Sequence, residues 1–274
     1  MAGKTSADWF SRIAVFGDDY GAPFLLDVIP KDRVAAVVCA QIRPQSQEPV
    51  RLAAERIGAE FIVQPKFGSA EYPSFIKAIA NARVDSIFCY SYSMIVRKDI
   101  LEMIGYRAVN THGALLPKNR GPNSVQWALI RGESKTGATI HFMDDGIDSG
   151  DIIAQREVGI EFTDTWPVLA RKVNKAAENL LRDETPRLLS GEYTRSPQDI
   201  AKATVNHRLN PDSPRIDFAA MDDIAVYNLI RAQVKPLAGA YVEKDGEKVR
   251  IPEFIPFSDI PKLRARLSEG VLPR

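Results

Sequence analysis

The chain has 274 residues, with 36 Lys and Arg against 35 Asp and Glu and 45% hydrophobic residues, which excludes a disordered protein. A net charge of +1 argues against a chain that lives on a nucleic-acid backbone, and the lack of a run of about 18 apolar residues argues against a membrane span. Residues 1–8 lack the apolar stretch of a signal peptide, and Cys39 and Cys89 both sit in apolar runs, so free, buried thiols in a cytoplasmic protein are expected.

Residues 13–17 (IAVFG) and 34–40 (VAAVVCA) read as strands, nearly continuous in apolar residues as in a sheet covered on both faces. Residues 49–57 read as a helix, with Val50, Ala53, Ala54 and Ile57 on one face. A short strand at 61–63, a helix at 72–83 and a strand at 86–91 follow. This alternation predicts an α/β fold, a Rossmann-like parallel sheet with covering helices. Later strands are expected at 108–111, 138–143 and 151–158. The longest helical pattern is 163–189, with Pro167 early in it and Pro186 interrupting it near its end.

Beyond Ser190, Gly191, Pro197, Pro211 and Pro214 mark a connecting segment. We therefore expect a core at 1–195 and a small α+β annex at 196–274. The annex should hold a helix around 222–232 and a hairpin at 241–251, turning at Asp245-Gly246. Its last 20 residues are proline-punctuated and are expected to be loosely held. The annex carries 12 Lys and Arg against 11 Asp and Glu, so it is not a basic nucleic-acid module.

Several motifs fail. Gly3-Lys4-Thr5 has no strand or glycine-rich turn before it, and Ser74–Lys77 lacks the companion motifs of S-x-x-K chemistry. Asp18-Asp19 follows the first strand where a dinucleotide site needs glycines, and two carboxylates there repel a pyrophosphate. The spacing of His112, His141 and His207 proposes no metal site.

The informative stretch is residues 109–151. In an extended chain Asn110 and His112 share one face. The strand at 138–143 ends in an acidic loop holding Asp144, Asp145, Asp148 and Asp151, which faces that pair if the two strands are neighbours. An Asn amide can donate to a developing oxyanion, a His can shuttle a proton, and an Asp can orient the imidazole and favour its charged form. Together they suit acyl-like transfer to an amine. Spacing alone does not choose among the four aspartates.

The stretch resembles the formyltetrahydrofolate-dependent formyltransferases. Their Asn-x-His matches Asn110 and His112. Their S-L-L-P-x-x-R-G matches residues 113–121 (GALLPKNRG), with Ala114 for the usual serine, and their D-x-G-x-D-x-G-D loop matches 144–151 with the first variable position filled by Asp145. The similarity runs to about Val249. It implies catalytic roles for Asn110, His112 and Asp148. It also implies 10-formyltetrahydrofolate as formyl donor, held through Met94 and Val96 in residues 91–96 and through Met143, Asp144 and Asp145, with Arg120 and Asn123 touching the acceptor.

Within the family, the glycinamide ribonucleotide enzymes usually stop near the long helix, whereas this chain continues with residues 215–218 (RIDF) and 230–232 (IRA). The methionyl-tRNA enzymes share that continuation but carry a longer basic loop after the second strand, where residues 41–48 (QIRPQSQE) hold one arginine and one glutamate, and a basic C-terminal barrel. His141 in Ile-His-Phe is nearer the small-substrate members, or is a hydrogen-bonded core histidine. The resemblance is closest to sugar N-formyltransferases, which act on nucleotide-linked amino-deoxy sugars for surface polysaccharides. It implies a small-molecule nucleotide sugar as partner, no nucleic acid, no membrane and a homodimer. A formyl-folate hydrolase is disfavoured by the 12 residues before the first strand, which leave no room for a regulatory domain. A silent folate-binding module is disfavoured because Asn110, His112 and Asp148 are all kept. Trp9, Trp127 and Trp166 could stack on a base or lie in the core.

Overall fold

The structure is a computed structural model that describes residues 10–268. The expectations placed on residues 1–8, on Gly3-Lys4-Thr5 and on Trp9 lie outside the described residues. The strands are β1 (Ile13–Phe16), β2 (Val34–Ala40), β3 (Glu60–Gln64), β4 (Ser86–Tyr90), β5 (Ala108–His112), β6 (Lys135–Phe142) and β7 (Ile152–Gly159), with β8 (Ala240–Lys244) and β9 (Glu247–Ile251) in a separate hairpin. The helices are α1 (Gly21–Val28), α2 (Pro44–Glu55), α3 (Tyr72–Asn81), α4 (Lys98–Met103), α5 (Ser124–Ile130), α6 (Trp166–Ser190), α7 (Asp223–Arg231) and α8 (Ile260–Ser268).

The large sheet runs β3-β2-β1-β4-β5-β6-β7. The chain steps outward from β1 to β3, then returns to β4 on the other side of β1, so the order reverses between β1 and β4. In open α/β sheets such a reversal leaves a crevice beyond the carboxyl ends of the two strands. Strands β1 to β5 are parallel, and β1, β2 and β4 are buried almost throughout, as their unbroken apolar runs require.

The sheet is not wholly parallel. β6 runs antiparallel to β5, pairing Val109 with Phe142, Asn110 with His141 and His112 with Thr139. Apolar periodicity reports which faces are covered and not which way a strand runs. All of β6 after Lys135 is buried, so its pattern matches that of a parallel strand.

Three further expectations are corrected. α2 begins at Pro44, which occupies the first helical position, so most of residues 41–48 is helix and not loop. Pro49 lies inside that helix and is not its start. α6 runs through Pro186 to Ser190 without interruption. The end of the described chain is not loosely held, because α8 buries Ile260 and Leu263 at helical spacing. The short helices α1, α4 and α5 have too few turns for a periodic signal and were not predicted.

Contacts divide the chain into two compact units. The first holds the described chain through His112, then Thr139–Arg156 and Ala177–Asp199; the second holds Gly113–Ala138, Glu157–Ala176 and the described chain from Ile200. The core of the first unit packs Phe75 and Ile79 of α3 and Ile100 and Leu101 of α4 against Ala14, Phe16, Val38 and Ile87 of the sheet. Burying each of the larger side chains contributes about 1.5–3 kcal/mol. In the second unit Asp222 caps α7, its Oδ1 accepting from Ala225 N at 2.8 Å. Val226, Tyr227 and Ile230 of that helix pack on Ala240, Val242 and Ile251 of the hairpin and on Ile260 and Leu263 of α8. Asp245 and Gly246, both at positive φ, form the two-residue turn expected from the sequence.

Candidate active site

β5 sets the geometry. Its alternation puts Asn110 and His112 on one face, and antiparallel pairing brings His141 directly opposite Asn110 on that same face. His112 is 9% exposed and His141 2%. The acidic loop leaves β6 where Phe142 pairs with Val109, near the amino end of β5. It closes on itself, with Phe142 N donating to Asp151 O at 2.9 Å. Gly150 lies against Phe142, and a Cβ there would sit 2.0 Å from the Phe142 carbonyl oxygen, so only glycine closes the loop.

From that base the loop folds back along the sheet face. Asp148, at φ 49°, accepts from Asn110 Nδ2 at 3.3 Å. Its Oδ2 lies 3.4 Å from His112 Nδ1 and its Oδ1 3.4 Å from His141 Nε2. Asn110 Nδ2 is also 3.2 Å from His141 Nε2. The trio is therefore together, with Asn110 and His112 among the last three residues of β5. Because β6 is antiparallel, Asp148 reaches the pair from the other end.

The other aspartates of the loop do other things. Asp144 Oδ1 accepts from Gly146 N at 3.0 Å and Ser149 Oγ at 2.7 Å, which shapes the turn. Asp145 accepts from Lys98 Nζ at 2.9 Å and Tyr106 OH at 2.7 Å, and the Lys98 ammonium, with Tyr106, holds its carboxyl below the usual range. Asp151 pairs with Arg195, Nε to Oδ2, at 3.1 Å. Gln198, unremarked in the sequence reading, braces the loop by donating from Nε2 to the carbonyls of Asp148 at 2.9 Å and Gly150 at 2.7 Å. No local pattern marks it, since it lies 50 residues from Asp148.

The formyl transferase family signature matches residues 12–185. The chain belongs to the formyl transferase family. It is 32% identical over 240 residues to the methionyl-tRNA formyltransferase of Geobacillus thermodenitrificans, covering 85% of this chain and 74% of that protein. Among solved structures, the sugar N-formyltransferase from Shewanella sp. FDAARGOS_354 superposes with a TM-score of 0.72 at 21% identity, over 90% of this chain and 98% of that one. The N-formyltransferase from Helicobacter canadensis, solved with folinic acid and dTDP-3-aminofucose, superposes at 0.63 with 19% identity, over 90% of each chain. At these identities the two structures establish the fold.

In this formyl-transfer enzyme the segment after β4, residues 91–97, is irregular, with Ser91 at φ 50°, and is pinned from both sides. Asp18, fully buried, accepts from Ala40 N at 2.8 Å through Oδ1 and from Ser93 N at 2.8 Å through Oδ2, while Gln64 Nε2 donates to Ile95 O at 3.0 Å. The acidic turn that the sequence reading used against a dinucleotide is thus a clamp at the β1/β4 reversal. Val96 is buried, Met94 is half-buried and Ile95 is 66% exposed. Met94 and Val96 have no backbone partner among the described residues. Met143 N donates to Ala108 O at 2.8 Å, and its side chain packs against the core of the first unit.

Burial, followed by the charges of Asp148 and Asp18, pushes the Cys89 thiol up. Burial also pushes Cys39 up to about 12, reinforced by its hydrogen bond to Asp18. Both cysteines are free and buried.

Arg120 and Asn123 belong to the second unit. Arg120 is 9% exposed and bridges Val205 through its backbone. Asn123 holds a left-handed backbone at the start of α5, and its Oδ1 accepts from Leu209 N at 3.0 Å. Its side-chain oxygen thus organises the unit it sits in. Trp127 donates to His207 O at 3.0 Å and packs edge-on to the His207 ring.

Proposed function

We propose that the enzyme transfers the formyl group of 10-formyltetrahydrofolate to the primary amine of a nucleotide-linked amino-deoxy sugar, such as a 4-amino-4,6-dideoxyhexose on dTDP or GDP, made for surface polysaccharide. The observation that carries the chemistry is the cluster of Asn110, His112 and Asp148 on one sheet face. The observation that favours a small acceptor is the charge of residues 196–274, with 12 Lys and Arg against 11 Asp and Glu. Binding a polyanion such as tRNA draws on a surplus of cations. The Helicobacter structure, with folinic acid and a dTDP amino sugar together, supports the same pairing of ligands. The second reading, methionyl-tRNA as acceptor, is favoured by the name and 32% identity of the Geobacillus relative.

A folate suits the residues at the β1/β4 reversal. The edge of a flat heteroaromatic ring needs backbone donors and acceptors, and the ring needs apolar cover; Met94 and Val96 supply the first and the exposed Ile95 the second. When bound, the folate supplies the formyl carbon and the nitrogen that leaves. The acceptor amine attacks in its neutral form, and the formyl oxygen turns negative. Asn110 donates to that oxygen from its amide, and His112, whose Nδ1 faces Asp148, presents Nε2 as the second donor. The Asp148 carboxylate compensates the charge of the imidazolium and orders the water that carries the amine proton to the leaving nitrogen. The reading includes a cytoplasmic homodimer, which sedimentation of the purified enzyme tests.

The deciding experiment incubates purified enzyme and 10-formyltetrahydrofolate with a panel of nucleotide amino sugars and, in parallel, with charged initiator methionyl-tRNA. Turnover of one sugar and none of tRNA is expected. Efficient, salt-sensitive formylation of the tRNA would sink the sugar reading.

A further inference from the structure

The segment after α6 runs beside the acidic loop. Arg195 pairs with Asp151 at 3.1 Å, and Ser196 exchanges backbone hydrogen bonds with Ile152 at 2.8 and 2.9 Å. Pro197 follows, and a proline biases the residue before it toward extended backbone, which suits Ser196 to that bridge. Gln198 comes next. Its neighbours Pro197 and Asp199 are exposed, but Gln198 is half-buried and its side chain turns onto the loop.

Gln198 Nε2 donates to the Asp148 carbonyl at 2.9 Å and to the Gly150 carbonyl at 2.7 Å. A side-chain amide nitrogen carries two hydrogens, and these two carbonyls take both. The reverse orientation would set the amide oxygen against two acceptors, so the partners fix which end faces the loop. The peptide planes that follow Asp148 and Gly150 are thereby tied to one atom. Asp148 sits between them at φ 49°, a left-handed backbone that an L residue adopts at a cost. From that backbone its carboxylate lies 3.3 Å from Asn110 Nδ2 and 3.4 Å from His112 Nδ1. Asp144 shapes the earlier half of the loop through Gly146 N and Ser149 Oγ, but a carboxylate only accepts, so the two carbonyls draw their donors from outside it.

We propose that Gln198 is a positioning residue for formyl transfer: by holding the Asp148 and Gly150 carbonyls on one nitrogen, it keeps Asp148 in the left-handed backbone that presents its carboxylate to Asn110 and His112. This rests on the role of Asp148 proposed above. No bond breaks and no proton moves at Gln198, which acts only through the population of the aligned carboxylate. Without the two donors, water takes up the carbonyls one at a time, and Asp148 relaxes toward right-handed or extended backbone, turning its carboxylate away. Losing two hydrogen bonds of ordinary strength weakens the aligned loop about ten- to a hundred-fold against the relaxed one.

The test is a double-mutant cycle in the full-length enzyme, read as kcat with the acceptor that turns over. Gln198→Met sets a methyl group where Nε2 stands and withdraws both donors at nearly constant length. It should lower kcat about ten- to a hundred-fold with the folate KM within about twofold. In the Asp148→Asn background the same change should cost less than about twofold, because the carboxylate it serves is gone, whereas in the Asp151→Asn background the full factor should persist. A Gln198 that only holds the fold together would cost the same factor in every background, and that result overturns the proposal. A Gln198→Met enzyme within about twofold of the parent overturns it too. Gln198→Asn, one methylene too short to reach both carbonyls, should repeat the loss without setting an apolar group against the loop. The crystal structure of either variant gives a readout apart from turnover: Asp148 is expected out of the left-handed region, with its carboxylate beyond hydrogen-bond reach of Asn110. An unmoved Asp148 overturns the proposal. A displaced Asp148 in an enzyme that formylates no acceptor, or in which Asp148→Asn is harmless, would leave the positioning role standing and remove the function proposed for the site.

Discussion

Asp148→Asn tests the site most directly, because the change keeps the shape and removes the charge. The carboxylate faces three nitrogens, Asn110 Nδ2 at 3.3 Å, His112 Nδ1 at 3.4 Å and His141 Nε2 at 3.4 Å, and its side chain is 15% exposed. An amide in its place has one acceptor oxygen and one donor nitrogen. Whichever way it turns, an N–H faces either His112 Nδ1 or the Asn110–His141 pair. A hydrogen bond to a charged group contributes about 1.5–3 kcal/mol, and turning it into a donor–donor contact adds the cost of an unpaired buried group, about 1–3 kcal/mol. A loss of about 3–5 kcal/mol of transition-state stabilisation corresponds to roughly a hundred- to several-thousand-fold in kcat.

Asp151→Asn is the matched control. Its carboxylate pairs with Arg195 at 3.1 Å with side chains 34% and 49% exposed, a contact contributing about 1 kcal/mol at most. The backbone carbonyl that closes the loop onto Phe142 is untouched by the change. Asp151→Asn should therefore keep kcat within about fivefold of the parent. The assay is steady-state formyl transfer with the melting temperature of each variant alongside. Equal damage from both substitutions, or an Asp148→Asn enzyme within threefold or so of the parent, would refute the placing of the chemistry at Asp148.

Asn110→Ala should lower kcat about a hundred- to a thousand-fold, the cost of one oxyanion donor. Folate affinity, measured by calorimetry, should be nearly unchanged, because the segment proposed to hold the ring, residues 91–97, is untouched by the change. Asp18→Ala strands the amides of Ala40 and Ser93, now paired at 2.8 Å each. At about 1–3 kcal/mol per stranded donor the loss of stability is about 2–6 kcal/mol by urea unfolding, and folate affinity should fall with it as residues 91–97 loosen. The buried thiols give a pH dependence. Cys39 is pushed from 9.0 to about 12 by burial and then by its bond to Asp18, so above about pH 9 the unfolded chain loses a proton that the folded chain keeps. The stability it contributes is complete below pH 9 and declines as pH rises toward 12, by up to about 1.4 kcal/mol per pH unit. Unfolding midpoints measured from pH 7 to 11 should fall accordingly, and replacing Cys39 by Ala should flatten the alkaline slope.

The sequence by itself determined much of this protein. Unbroken apolar runs at β1, β2 and β4 were enough to place buried strands, since a strand covered on both faces has no polar position. The alternation of the extended chain was enough to put Asn110 and His112 on one face, because that relation is local and holds whatever the strand pairs with. Asp245-Gly246 gave the hairpin turn for an equally local reason, the positive φ both residues tolerate. Pro44 as the first residue of α2 and the passage of α6 through Pro186 were missed because a proline is compatible with a helix start, a stop or an interior position, and packing decides among them.

What the tertiary structure alone decided is long-range. Side-chain pattern does not encode strand direction, so the antiparallel course of β6 was hidden, and with it the end from which the acidic loop approaches. The four aspartates of that loop are chemically alike, and only their surroundings separate them. Asp144 meets its own turn, Asp145 meets Lys98 and Tyr106, Asp151 meets Arg195, and Asp148 alone reaches Asn110 and His112. His141 joined the same cluster because pairing across two strands, a contact between residues 31 positions apart, set it opposite Asn110.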